Sequence, residues 1–286
     1  MLFFKKKNSE STPDLQINHE NKQFDGWLLP PNEVEAFATK EQLKEGIKKI
    51  RVVWTHLGDK DAHYSVITNP QYRSENLASN IEDFWQSGKV EAAVAVDIFK
   101  RYQTDSDLKK LICVEYGCGV GRVTFGLADY FSQTYGYDVS DSHLQYAEDT
   151  VKERKLNHIS FNHRANSFMQ PIEKCDLFYS KIVFQHNPPP IILCLIKQAL
   201  TALNINGIAM FQVPVYKTNY KFKINDWLAE ESKFEMEMHC LPQHYIFQAI
   251  AEHGCIPLEI WEDNSTGAPE RFISASFVIK KISEVM

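Results

Sequence analysis

No apolar run in this chain reaches 18 residues, so no segment is long enough to cross a bilayer as a helix. Positive charge is not in excess: 31 Lys and Arg stand against 37 Asp and Glu, for a net charge of −6. That balance argues against nucleic acid as the main partner, because phosphate contacts need clustered cations. The six cysteines, at 113, 118, 175, 194, 240 and 255, form no C-x-x-C pair and sit mostly in apolar surroundings, so they read as small buried hydrophobes. His239-Cys240 with His244 fits no common zinc spacing and lacks a ligand, so no metal is expected. Internal repeats and coiled-coil heptads are absent. Met1-Leu-Phe-Phe is too short for a signal peptide and precedes Lys5–Lys7 in the wrong order, which leaves the cytoplasm as the expected compartment. What remains, at 44% hydrophobic and 24% charged residues, is the composition of an ordinary globular protein of one large domain or one domain with an extension.

The most informative stretch is Leu111-Ile-Cys-Val-Glu-Tyr-Gly-Cys-Gly-Val-Gly-Arg122, followed by Tyr137-Asp138. An apolar strand runs into Glu115 and then into glycines at 117, 119 and 121. A turn of this kind, opening a helix, lets a ligand approach bare backbone. Asp138 falls where a second parallel strand would end and set a carboxylate against a ribose diol. Adenosine-type cofactors are held this way. A dinucleotide fingerprint wants a third glycine where Arg122 stands, and no G-K-[ST] follows, so neither a dehydrogenase nor a P-loop is favoured. Cys118, inside the turn, reads as a small residue tolerated beside a cofactor.

The pattern E-Y-G-C-G-V-G resembles motif I of the class I S-adenosylmethionine-dependent methyltransferases, and the resemblance extends from Lys110 to Lys280. Tyr135–Ser140 is similar to the family's second strand, His158–Arg164 to its third, Asp176–His186 to its fourth and Gly207–Val213 to its fifth. A helix from about 191 to 203 precedes the fifth, and 256–262 and 272–280 match two late strands. The implied fold is a Rossmann-like, seven-stranded, doubly wound α/β sheet with an antiparallel last strand. The implied cofactor is S-adenosyl-L-methionine. The resemblance assigns cofactor contacts to Glu115, Gly117, Cys118, Gly119, Gly121, Asp138, Val139, Asn166, Ser167 and Ser180. Asp138 would hold the ribose and Val139 would pack on the adenine. Asn166, where most relatives carry Asp, would read the adenine amine through its carbonyl oxygen. Ser140 would cap the next helix.

Around this core, residues 1–20 are polar and expected to be a disordered tail, 21–108 a helical cap, and 109–286 the core with an acceptor-shaping insertion near 214–254. Helices are predicted over 33–57, 75–86 and 89–102, with an extended piece at 63–68 and a break at Ser87-Gly88. Tyr72, Phe84 and Trp85 are candidates either to line the pocket or to glue the cap to the core. Tyr216, Tyr220 and Trp227 belong to the insertion. Asn187-Pro-Pro resembles the motif of amino-methyltransferases, but its distance from Asp176 and Pro190 in fourth place disfavour a base-stacking role; Asn187 is expected to cap a helix whose first turn tolerates the prolines.

A hydroxyl acceptor would gain from a general base, typically His. His186, at the exit of the fourth strand, is the first candidate for a catalytic residue, and His239 the second, with His244 beside it. Glu237 could hold a cationic substrate, and His143 is expected to be structural. The expected activity is methyl transfer to a small-molecule or sugar-like acceptor at oxygen, with a non-catalytic cofactor-binding or regulatory protein or a methyltransferase acting on a protein side chain as alternatives. No nucleic acid or membrane partner is expected, and the oligomeric state is left open.

Overall fold

The computed structural model describes residues 29–104, 106–164 and 167–284. The expected tail at 1–20 and Asn166 lie outside the described residues. In chain order the elements are β1 (Glu33–Val34), α1 (Lys40–Val66), α2 (Ser74–Lys100), β2 (Ile112–Tyr116), α3 (Thr124–Ala128), β3 (Gln133–Asp138), α4 (Asp141–Arg154), β4 (Ile159–His163), β5 (Cys175–Ser180), α5 (Pro189–Ala202), β6 (Leu203–Lys217), β7 (Lys221–Phe222), α6 (Ile224–Ala229), α7 (Gln243–Glu252), β8 (Cys255–Asp263) and β9 (Phe272–Lys281).

Seven strands form one sheet in the order β4-β3-β2-β5-β6-β9-β8. The pairs from β4 through β6 are parallel, and β9 is antiparallel to both β6 and β8. This is the expected doubly wound sheet with its antiparallel end. Strands covered on both faces read as continuous apolar runs, and adjacent residues feed opposite layers. Cys113, Leu177, Ile208 and Met210 pack under Ala92, Ala95, Val96 and Phe99 of α2. Val114, Phe178, Ala209 and Phe211 pack against α5, α7 and Leu43, Ile47 and Ile50 of α1. Helix α5 is apolar nearly all round and is correspondingly buried.

Residues 32–286 cluster as one compact unit, so the helices ahead of β2 pack with the core. Helix α1 opens on a capping box between Thr39 and Gln42. It runs through the expected extended piece at 63–68: the helix breaks at Asp61 (φ −163°, ψ 82°), resumes, and ends only at Val66. The Asp61 carboxylate accepts from Ser74 N and Oγ, tying the break to the start of α2. The break expected at Ser87-Gly88 is likewise missing, and α2 is continuous. Gly88 serves packing instead, since a Cβ there would lie 1.9 Å from the Arg122 carbonyl oxygen. Among the described residues no helix is long and apolar enough to cross a membrane.

Candidate active site

The carboxyl ends of β2, β3 and β5 meet at the glycine turn. Gly117, Gly119 and Gly121 have φ of +78°, +54° and +86°, a region that side chains other than glycine enter at a cost of roughly 1–2 kcal/mol. Their bare faces are filled by the protein's own side chains. A Cβ on Gly117 would lie 2.2 Å from Val183, on Gly119 2.6 Å from Val66, and on Gly121 2.7 Å from Phe125. The glycines therefore let the β5 exit and helix α1 close onto the turn, which is a different reason for them than direct approach of a ligand. Arg122 points away from the turn. It is buried and pairs with Glu91 of α2 at 2.6 Å, and Tyr179 OH donates to the same carboxylate at 2.7 Å.

Asp138 anchors the turn. Its Oδ2 accepts from Gly119 N at 2.8 Å, and its Oδ1 accepts from Val139 N at 2.7 Å and Ser140 N at 2.9 Å. A carboxylate offers about four lone-pair sites, so Oδ2 keeps acceptor capacity for a hydroxyl. Glu115, by contrast, is fully enclosed on β2. Burial is the main cause that raises its pKa to about 8, opposed by a hydrogen bond from Thr124 Oγ1 at 2.5 Å. It is thus a neutral strut under the turn. Ser140 caps α4 as expected. His143 is structural, bridging Ser140 Oγ at 2.6 Å and Ser65 Oγ of α1 at 2.7 Å. Ser180 Oγ donates to the Tyr116 carbonyl at 2.9 Å, and Ser167 Oγ to the His163 carbonyl at 2.9 Å. Burial pushes the Cys118 thiol well up, so no thiolate is available there.

Beyond β5 the chain turns sharply. Ile182 has φ +58°, a genuine outlier for a β-branched residue, and such strain collects at functional sites. The segment Phe184–His186 then brings His186 under α1, where its ring meets Trp54 edge-on at 5.2 Å. His186 Nδ1–H donates to the Glu237 carbonyl at 2.9 Å, which leaves the lone pair on Nε2, 3.2 Å from the Gln185 amide nitrogen. Burial lowers the His186 pKa to about 4, so the ring is neutral. His239 has both nitrogens engaged: Tyr220 OH lies 2.6 Å from Nδ1 and the Glu237 carboxylate 3.2 Å from Nε2. The hydrogen bond from His239, reinforced by one from Trp227 Nε1 at 2.8 Å, holds the Glu237 carboxyl down to about 2. Glu237 is therefore committed to these partners, and His186, like His239, has both ring nitrogens engaged, Nε2 by the longer contact from the Gln185 amide.

Several expected contributors sit elsewhere. Tyr72 and Phe84 pack with Ala62 and Val120, and Trp85 sits edge-on to Phe125, so these aromatics join the cap to the core. His244 stacks on Tyr245 of α7. Asn187 does not cap α5. Its Nδ2 donates back to the Val183 carbonyl at 2.8 Å, and the helix starts on Pro188 with prolines in its first turn. A cavity of about 410 Å³ between Phe37 and α5 contains none of the candidate residues. A groove of about 450 Å³ between α2 and β8 ends at Ser180, Lys181 and Gln212. Gln212 and Gln185 carry no signal in the sequence, since an isolated amide has no spacing pattern, whereas Trp54 belongs to the helically spaced apolar positions of α1.

Residues 113–207 match the family model described as a methyltransferase domain. No curated protein matches by sequence. Among solved structures, the fold is similar to geranyl diphosphate C-methyltransferase from Streptomyces coelicolor, with a TM-score of 0.56 and 14% identity over 87% of this chain and 100% of that one. It is also similar to magnesium protoporphyrin IX methyltransferase from Synechocystis, crystallised with S-adenosylhomocysteine, at TM-score 0.55 and 15% identity over 82% of this chain and 99% of that one. The N-methyltransferase NodS from Bradyrhizobium japonicum follows at 0.50 and 15%, over 80% and 98%. Residues 113–207 thus carry a methyltransferase domain, and the sheet around it shares the fold of these solved methyltransferases.

Proposed function

We propose that this protein methylates a small-molecule or sugar-like acceptor at oxygen, with the candidate residues in the roles that follow. Bound S-adenosylmethionine supplies an electrophilic methyl group, so the chain's own work is alignment, proton handling and exclusion of water. Asp138 is suited to the ribose hydroxyls through the acceptor capacity of Oδ2, with Val139 beside it for the adenine. The residues fit such a group: a glycine turn in left-handed backbone stands next to a carboxylate with acceptor capacity to spare. Trp54 and the rest of α1 lie over the turn and keep water from the β5 exit.

His186 is the group that takes the acceptor proton, through Nε2. Its Nδ1–H is committed to the Glu237 carbonyl, and this single observation carries the assignment of oxygen as the acceptor atom. An amine or a carboxylate needs less from the protein than a hydroxyl does. The low basicity imposed by burial suits a proton that leaves as the methyl arrives, rather than one removed beforehand. The magnesium protoporphyrin and geranyl diphosphate enzymes named above support an acceptor of low molecular weight.

Calorimetry of the full-length protein with S-adenosylmethionine, S-adenosylhomocysteine and NAD tests the cofactor assignment. Binding of NAD alone would overturn it. Incubation with methyl-labelled donor and fractionated cell extract tests the acceptor class. Label is expected in the low-molecular-weight fraction and in alkali-stable ether linkage; label in protein would favour a side-chain acceptor instead.

A further inference from the structure

The turn after β5 is held in a backbone conformation that its own residue resists. Ile182 is left-handed at φ +58°, yet its side chain is half-exposed and does little to hold it there. The hold comes from Gln212 on β6. The Gln212 Oε1 accepts from Ile182 N–H at 3.0 Å, while its Nε2 donates to Gln185 Oε1 at 3.1 Å and to Ser274 Oγ at 2.7 Å. Gln212 is 1% exposed, so an unmade bond there would leave a buried polar group unpaired. One buried amide thus joins the strained turn, the segment carrying His186, and β9.

On its other side the turn abuts the glycine loop. Val183 fills the bare face of Gly117, and Asn187 Nδ2 grips the Val183 carbonyl at 2.8 Å. If Ile182 relaxed to ordinary backbone, the chain direction at Val183 would change and the contact with Gly117 would open. The strain is therefore coupled to the shape of the glycine turn.

We propose that Gln212 is a positioning residue that holds Lys181-Ile182-Val183 in strained geometry against Gly117, and so shapes the wall of the cofactor site beside the reacting end. This rests on the methyl-donor reading of the turn. Were Gln212 only a satisfied buried amide, replacing it would lower stability and leave the affinity of the folded protein untouched. Were it the clamp, a residue at 182 that tolerates left-handed backbone would make it dispensable. Asn is such a residue.

The test uses the full-length protein, S-adenosylhomocysteine calorimetry and ligand-free thermal unfolding. Gln212→Leu is expected to weaken binding at least tenfold, and the double variant Gln212→Leu/Ile182→Asn to return it to within threefold of wild type. Wild-type affinity in folded Gln212→Leu, or no recovery in the double variant, would overturn the proposal. Ile182→Asn alone is expected to raise Tm, and an unchanged or lower Tm would remove the strain on which the inference depends, whether or not Gln212→Leu folds. A wild-type protein that binds neither S-adenosylmethionine nor its demethylated product would instead refute the cofactor reading, while the Tm comparison still decides on the strain.

Discussion

His186 donates its Nδ1 proton to the backbone carbonyl of Glu237, and this bond sets the tautomer of the ring. The insertion after β6 thereby orients a side chain at the exit of β5, and the Nε2 lone pair, met by the Gln185 amide at 3.2 Å, is the part the proposed proton transfer would use. In ¹⁵N NMR the ring is expected as the neutral Nδ1–H form at pH 7, titrating near pH 4 because burial disfavours the cation. Its folded pKa lies below the ordinary 6.5. Its stabilising contribution is therefore present above that ordinary value and is lost as pH falls toward 4. An Nε2–H tautomer at neutral pH would contradict the role given to it. His186→Ala is expected to slow methyl transfer by about 10²–10⁴-fold, the usual worth of a general base, with S-adenosylhomocysteine affinity unchanged.

Asp138 carries two duties, and substitution separates them. Asp138→Asn keeps a single acceptor oxygen for one side of the site, loses the negative charge and turns an amide NH2 toward the N–H donors on the other side, while Asp138→Ala loses all three backbone bonds. A hydrogen bond to a charged group contributes about 1.5–3 kcal/mol. The Asn variant should therefore bind S-adenosylhomocysteine roughly 10–150-fold more weakly with a smaller loss of Tm than the Ala variant. The Ala variant should lose both affinity and stability. Calorimetry and urea unfolding on the two proteins measure each part, and wild-type affinity in Asp138→Ala would remove the residue from the site.

The contact of Val66 with the bare face of Gly119 makes helix α1 a closing element over the turn. Gly119→Ala should cost about 1–2 kcal/mol for left-handed backbone, plus the displacement of Val66. Hydrogen exchange over 62–66 should quicken as the helix end is pushed away. Adding Val66→Ala should restore slow exchange but leave the backbone cost in place. Unchanged exchange in Gly119→Ala would mean that α1 does not rest on the turn.

Much of this was readable from the chain. The glycine spacing, the apolar strands and Ser140 before α4 point to the sheet and to the turn at its carboxyl edge, because burial on both faces and capping leave local patterns. Gly88 misled, because a helix-interior glycine required by Arg122 looks the same in sequence as a helix break. The stretch 63–68 misled as well, because the break that shapes it is at Asp61 and is stabilised by Ser74, a partner beyond the local window. Asn187 looked like a cap, but its side chain has a better partner in the Val183 carbonyl. The strain at Ile182 and the clamp on it by Gln212 depend on register across β5, β6 and β9, which no spacing along the chain encodes.

Glu115 gives the last prediction, one whose sign is opposite to that of a salt-bridged carboxylate. Its folded pKa is raised to about 8 by burial, whereas an ordinary glutamate in the unfolded chain titrates near 4.5. Below 4.5 both states hold the proton and the contribution of Glu115 to stability is complete. As pH rises from there to about 8 the unfolded chain ionises while the folded protein does not, so stability falls across that window and levels off above it. The amplitude is roughly a few kcal/mol. Glu115→Gln retains an oxygen for Thr124 Oγ1 and cannot ionise, so it should flatten this slope and match or exceed wild-type stability at pH 8. Urea unfolding of both proteins at intervals from pH 5 to pH 9 measures the difference, and parallel pH profiles for the two proteins would mean that Glu115 is ionised in the fold.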